Sequence, residues 1–134
     1  MIQTREEFEE LCRSERPEDN ERLRVELVSF DAAMAIRQAG VEVRKCLVMN
    51  KAIDADVLRE FVRDPDSGVR SCVARRRLAD AEILGVLAQD ADATVRAAVA
   101  WNPKTPISVR DTLLRDEEEI VRRAAHDAKQ KQQR

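Results

Sequence analysis

Apolar and polar positions along this chain recur with a period of 26 residues. Val43, Val69, Val95 and Val121 hold one position of the pattern, and Arg44, Arg70, Arg96 and Arg122 follow them. Three residues after each Val comes a small residue (Cys46, Cys72, Ala98, Ala124), and then Leu47, Val73, Val99 or Ala125. Apolar or small side chains at i, i+3 and i+4 make one face of a short helix. A second stripe follows in each copy. Val57, Ile83 and Val109 share a position, with Phe61, Leu87 and Leu113 four residues on, and Val62, Ala88 and Leu114 next. This predicts a second helix of roughly 8–11 residues, closed by Asp64, Asp90 or Asp116, each six residues before an Arg of the first set.

The copies run 43–68, 69–94 and 95–120, with a partial copy from 121. In the third, Thr105-Pro106 reads as N-cap and first helical residue, because Pro gives up no needed hydrogen bond there. Asp54 and Asp80 stand at the same boundary and favour the positive end of a helix. Residues 17–42 read as a degenerate leading copy, with Leu23, Leu27 and Phe30 as one helical stripe, a second helix from Asp31 to Gln38 and Gly40 as a helix stop. Ahead of them, within residues 1–16, Thr4-Arg5-Glu6-Glu7 is a capping-box pattern that opens a capping helix over 4–13. At the far end, 128–134 is polar without apolar periodicity and is expected to fray.

Helices this short are not stable alone in water. Each must cover its stripe with a neighbouring copy, the physical basis of a stacked repeat. The expectation is one all-α domain over residues 1–134, a short α-solenoid of helix-turn-helix units.

Composition agrees with that reading. Hydrophobic residues make up 43% and charged residues 37%, with only three Gly and four Pro, which suits amphipathic helices. Net charge is −2, so no global positive field draws in nucleic acid or an anionic membrane. No apolar run approaches the ~20 residues of a bilayer span, and MIQTREEFEEL lacks the features of a signal peptide. Three cysteines without CxxC spacing argue against a disulfide framework and fit a reducing compartment. A cytoplasmic location is expected.

The segment Val95–Pro106, VRAAVAWNPKTP, followed by Leu113, Leu114 and Asp116, resembles the leucine-rich repeat variant. That family is a bacterial member of the wider HEAT-like α-solenoid group, and the resemblance spans about residues 43–126. It implies a right-handed superhelix and a ladder of Asp–Arg hydrogen bonds between units. Here the matching pairs are Asp64 with Arg70, Asp90 with Arg96 and Asp116 with Arg122, with Arg44 heading the series. One branch of the family carries an iron–sulfur cluster on a cysteine-rich N-terminal segment. This chain departs from it, having only Cys12 there.

Candidate chemistry is sparse. The recurring Arg and Asp residues are expected to be architectural, since an active site needs to occur only once. Cys46 and Cys72 share one repeat position and read as small packing residues. His126 is the one histidine and has no nucleophile motif to serve, and the three glycines form no phosphate loop. No catalytic, cofactor or metal residue is expected, and the chain reads as a non-enzyme. Partner contact is expected instead at Met49, Arg75 and Trp101, which share a repeat position off the inward stripe, and at Arg76 and Arg77. A protein–protein interaction module is therefore the leading reading. Nucleic-acid or phosphate binding through Arg75, Arg76 and Arg77, with Arg70 nearby, is the second. A toxin-neutralising or purely structural protein is the third.

Overall fold

The computed structural model describes residues 1–134 and is all-helical. Its ten helices are α1 (Arg5–Arg13), α2 (Pro17–Val25), α3 (Phe30–Ile36), α4 (Val41–Met49), α5 (Ala55–Arg59), α6 (Ser67–Arg75), α7 (Ala81–Leu87), α8 (Ala93–Trp101), α9 (Ile107–Leu113) and α10 (Glu119–Gln132). There is no strand; a single isolated bridge joins Ile2 and Val28. Helices α4, α6, α8 and α10 begin at 26-residue intervals, as do α5, α7 and α9. Helices α4, α6, α8 and α10 therefore each start two residues ahead of their Val-Arg pair.

Aspartates set many of these starts. Asp54 and Asp80 cap α5 and α7, accepting from the N–H groups of Val57 and Ile83. Asp66 and Asp92 do the same for α6 and α8, through the N–H groups of Val69 and Thr94. An oxygen at this position satisfies one of the orphan donors of the first turn. Thr4 caps α1 through the Glu7 N–H, while the Glu7 carboxylate turns back to the N–H of Gln3. Thr105 is not a cap: its hydroxyl donates to the Val99 carbonyl, and Pro106 holds the N-cap position of α9.

The chain divides into two units, Met1–Phe61 and Val62–Arg134. In the first, α1 packs on α2, α3 and α4, over a core that includes Ile2, Phe8, Ile36, Leu47 and Leu58. The 17–42 segment differs from expectation. Helix α2 ends at Val25, so Leu23, Leu27 and Phe30 do not share one helix, and Leu27 and Phe30 are exposed. The bridge explains the break: Ile2 donates its N–H to Leu27 and its carbonyl accepts from Ser29. Gly40 is the N-cap position of α4, not a stop.

In the second unit α8 lies between α6 and α10. Its buried face carries Val95, Ala98, Val99 and Ala100; α6 supplies Val69, Val73 and Ala74, and α10 supplies Val121, Ala124, Ala125 and Ala128. Small residues on facing helices let their axes approach closely. Each fully buried Val or Leu contributes about 1.5–3 kcal/mol, which is what holds helices of only seven to nine residues (α6 to α9). The polar segment from Ala128 is helical for most of its length. Helix α10 continues to Gln132, whose side chain accepts from Arg110 and donates to the Pro103 carbonyl.

Candidate functional site: a groove beside Trp101

Most of the recurring charged residues are occupied with one another. Arg70 donates to the backbone carbonyl of Asp64, six residues back, and makes a two-point contact with the carboxylate of Asp90 at 2.8 and 3.1 Å. Arg96 repeats this with the Asp90 carbonyl and the Asp116 carboxylate, at 2.9 and 3.1 Å. Arg122 donates to the carbonyls of Asp116 and Glu117, and Arg44 to that of Ala39. For Arg70, Arg96 and Arg122 the Asp six residues back thus offers its carbonyl, and the carboxylates of Asp90 and Asp116 belong to the Arg of the copy before. The fork of a guanidinium can serve both acceptors at once. Burial works to raise the Asp116 carboxyl, but the hydrogen bonds and charge of Arg96 outweigh it and hold the group below its ordinary value.

A second set of contacts was not read from the sequence. Asn102, 2% exposed, donates its amide to the carbonyls of Ala74 and Arg76 at 2.8 and 2.9 Å. Asn50, buried in the first unit, does the same with Leu23 and Glu26. Both end a helix in extended backbone. The signal was visible, since Asn50 and Asn102 stand two periods apart at one repeat position.

What remains unspent lies around Trp101. This last residue of α8 sits off the Val95–Val99 face and stays 48% exposed. A groove of about 580 Å³ runs along its indole, floored by Ala97, Ala98 and Ala124 and lined by Thr94, Ile120, Arg75, Arg123 and Asp127. A smaller depression of about 340 Å³ also borders the indole, lined by Arg77, Pro103, Arg110, Ala128, Lys131 and Gln132. Ile120 is itself 54% exposed. Arg75, Arg77, Arg123 and Lys131 rim the two hollows, against the single carboxylate of Asp127. Arg123 is partly engaged by Glu119 at 3.0 Å, both exposed. Arg110 is only 3% exposed and is committed to Asn102, Ala100 and Gln132, so it supports the hollow without offering a free donor.

Of the residues expected at a partner surface, Trp101 and Arg75 line the larger groove and Arg77 the smaller. Arg76 departs from the expected patch. It is half-buried, burial pushes its guanidinium below the usual range, and its carbonyl accepts from Asn102. Arg70 is held by Asp90 and adds nothing to a basic surface. Met49 is exposed at the end of α4 in the first unit. Sequence reasoning missed Ile120, the last residue of the third copy, and also Arg123 and Asp127, because residues from 121 on read as a partial copy running into a tail. No cluster of three or more His, Cys, Asp or Glu side chains is placed to hold a metal ion, and no helix is long and apolar enough to cross a membrane. His126 is exposed, with Asp127 3.6 Å from it.

Comparison with protein-family models, with curated proteins and with solved structures finds no match to this chain.

Proposed function

We propose that this protein is a cytoplasmic, non-enzymatic binding module of the leucine-rich repeat variant or HEAT-like kind, a short right-handed α-solenoid. Its groove beside Trp101 takes an acidic segment of another protein that carries a large apolar side chain. One observation carries this reading: an exposed indole and Ile120 over an alanine floor, with four cations and one carboxylate at the rims. Apolar floors reward burial of a Leu or Phe anchor, and Trp is enriched among residues that dominate interface energies. Exposed arginines steer and orient a carboxylate-bearing partner. The solenoid reading is supported by helix starts at 26-residue intervals and by arginines that repeat one bonding pattern.

Nucleic acid is the competing occupant, since an indole beside arginine also suits base stacking. Half-burial of Arg76 and the pairing of Arg70 remove two of the charges that reading needs.

Calorimetric titration tests the proposal. The probes are a helical peptide with Glu and Asp on one face and Leu and Phe on the other, its Lys-substituted counterpart, and a single-stranded oligonucleotide. Binding of the acidic peptide alone is expected, weakened at least tenfold (about 1.4 kcal/mol or more) by Trp101→Ala and by Arg75→Glu with Arg77→Glu. Preference for the oligonucleotide would replace this reading with the competing one. Acidic-peptide binding indifferent to all three substitutions would place the site elsewhere, and no binding of any probe would end the proposal.

A further inference from the structure

Two arginines of this chain are buried, and only one of them has a counter-charge. Arg96 holds the carboxylate of Asp116. Arg110, 3% exposed, binds neutral oxygens alone: the backbone carbonyls of Ala100 and Asn102 at 3.4 and 2.9 Å and the side-chain oxygen of Gln132 at 2.7 Å. It enters no ion pair. A buried cation ordinarily faces an anion, because neutral dipoles replace its lost water only in part. Nor does the repeat ask for a charge here. One and two periods earlier the same position holds Leu84 and Leu58, both fully buried.

Arg110 lies in the wall of the smaller hollow beside Trp101, where Arg77 and Lys131 stand exposed and outside any ion pair. No carboxylate lines that hollow. The larger groove differs, with Asp127 in its wall and Glu119 engaging its Arg123. Three positive charges thus meet at one concave surface with nothing to balance them. We propose that the smaller hollow is a binding site for a phosphate monoester in its dianionic form. Arg110 contributes charge from a poorly hydrated place, its three bonds holding the guanidinium still. Arg77 and Lys131 supply the N–H groups that touch the phosphoryl oxygens. Charge decides among oxyanions. A carboxylate or a phosphodiester brings one negative charge, whereas a monoester brings close to two above about pH 6. In a partly buried site the second charge is worth about tenfold or more in affinity. With an acidic segment in the larger groove, as proposed for this surface, the phosphoryl group is a phosphorylated side chain of that segment, seated apart from its apolar anchor. Only that attribution depends on the segment; the site itself rests on Arg110.

The test supplies the missing counter-charge from within. Gln132→Glu exchanges the neutral oxygen beside Arg110 for a carboxylate with little change of shape. Without phosphate this variant should melt a few degrees above the native chain. It should also bind methyl phosphate about tenfold more weakly, read from the indole N–H shift of the one tryptophan at about pH 7.5. Gln130→Glu adds the same charge on another side of α10, outside the hollow, and should bind as the native chain does. The native chain should prefer methyl phosphate to dimethyl phosphate and to acetate by about tenfold, and Arg77→Gln and Lys131→Gln should each weaken it. Replacing one Glu of the acidic peptide by phosphoserine should tighten its binding, a gain that Gln132→Glu removes. Failure of methyl phosphate to bind, equal binding of the diester or of acetate, or undiminished binding by Gln132→Glu would each overturn the proposal. So would a phosphopeptide bound no more tightly than its parent. Methyl phosphate bound as expected, with neither peptide bound, would support the hollow's assignment and end the reading of the groove as a peptide site.

Discussion

Arg96 is a charged residue whose loss the fold should feel strongly. It is 8% exposed and satisfies the Asp90 carbonyl and both oxygens of Asp116. Truncation would leave a half-buried carboxylate without its cation, which in a closed interior costs 3–5 kcal/mol. The hollow formed by Gln89, Asp90, Arg96, Asp116 and Glu117 opens to water, so Arg96→Ala should cost about 2–3 kcal/mol. A lowered urea midpoint at unchanged slope would show it. Arg96→Lys should recover only part, since an ammonium cannot reproduce the two-point geometry. Cys46 is drawn down to about 7, chiefly by Cys12 and against burial and Glu42, so alkylation of the Cys72→Ser protein should rise with a midpoint near pH 7. An ordinary thiol would titrate near 8.5. Much of this scale was legible: an Arg that recurs once per copy announces an architectural partner. Its carboxylate could not be chosen, because the Asp six residues back supplies a carbonyl and the bonded one lies 20 residues on.

Helices α5 to α8 begin where aspartates cap them, and α2 and α6 end where an asparagine side chain takes over two carbonyls. No residue has positive φ, so no glycine is needed to turn the chain out of a helix. Asn102→Ala should therefore strip partners from the carbonyls of Ala74 and Arg76 and cost about 2 kcal/mol. Asn102→Asp should be worse, since a carboxylate would face those same oxygens. Thermal melts of the two variants check the order. Gly85 offers the opposite case. It lies inside α7, and a Cβ there would meet nothing within 4 Å, so Gly85→Ala should raise stability by about 0.5–1 kcal/mol. The periodic helices were legible because their apolar stripes recur four times in phase. The 17–42 segment was not: its stripe is interrupted by the Ile2–Val28 bridge, a long-range pairing that local pattern does not record.

Across the molecule, several carboxylates are held below their ordinary values. Glu26 is lowered to about 2, chiefly by the hydrogen bond from Arg22; Asp19 by Ser14; Asp92 by Thr94; and Asp116 by Arg96, against its burial. A carboxyl depressed in the folded state stabilises fully above its unfolded value, near 4, and that share fades as pH falls toward the folded value. Urea midpoints should thus lose nothing to these groups between pH 7 and about 5 and should drop steeply between about 4 and 2. Arg96→Gln should make the drop shallower. Charge is also unevenly distributed: Met1–Phe61 has fourteen acidic and ten basic residues, Val62–Arg134 twelve acidic and fourteen basic. The Trp101 groove was half legible for a similar reason. Arg75 and Trp101 could be placed on one outward position, but the wall from α10 depends on a helix whose polar end hides its continuation. Trp101 is the one tryptophan, and the chain has no tyrosine. Ultraviolet emission from the native protein therefore arises almost wholly from the groove, and an occupant that dries the indole should move that emission to shorter wavelength without any attached dye.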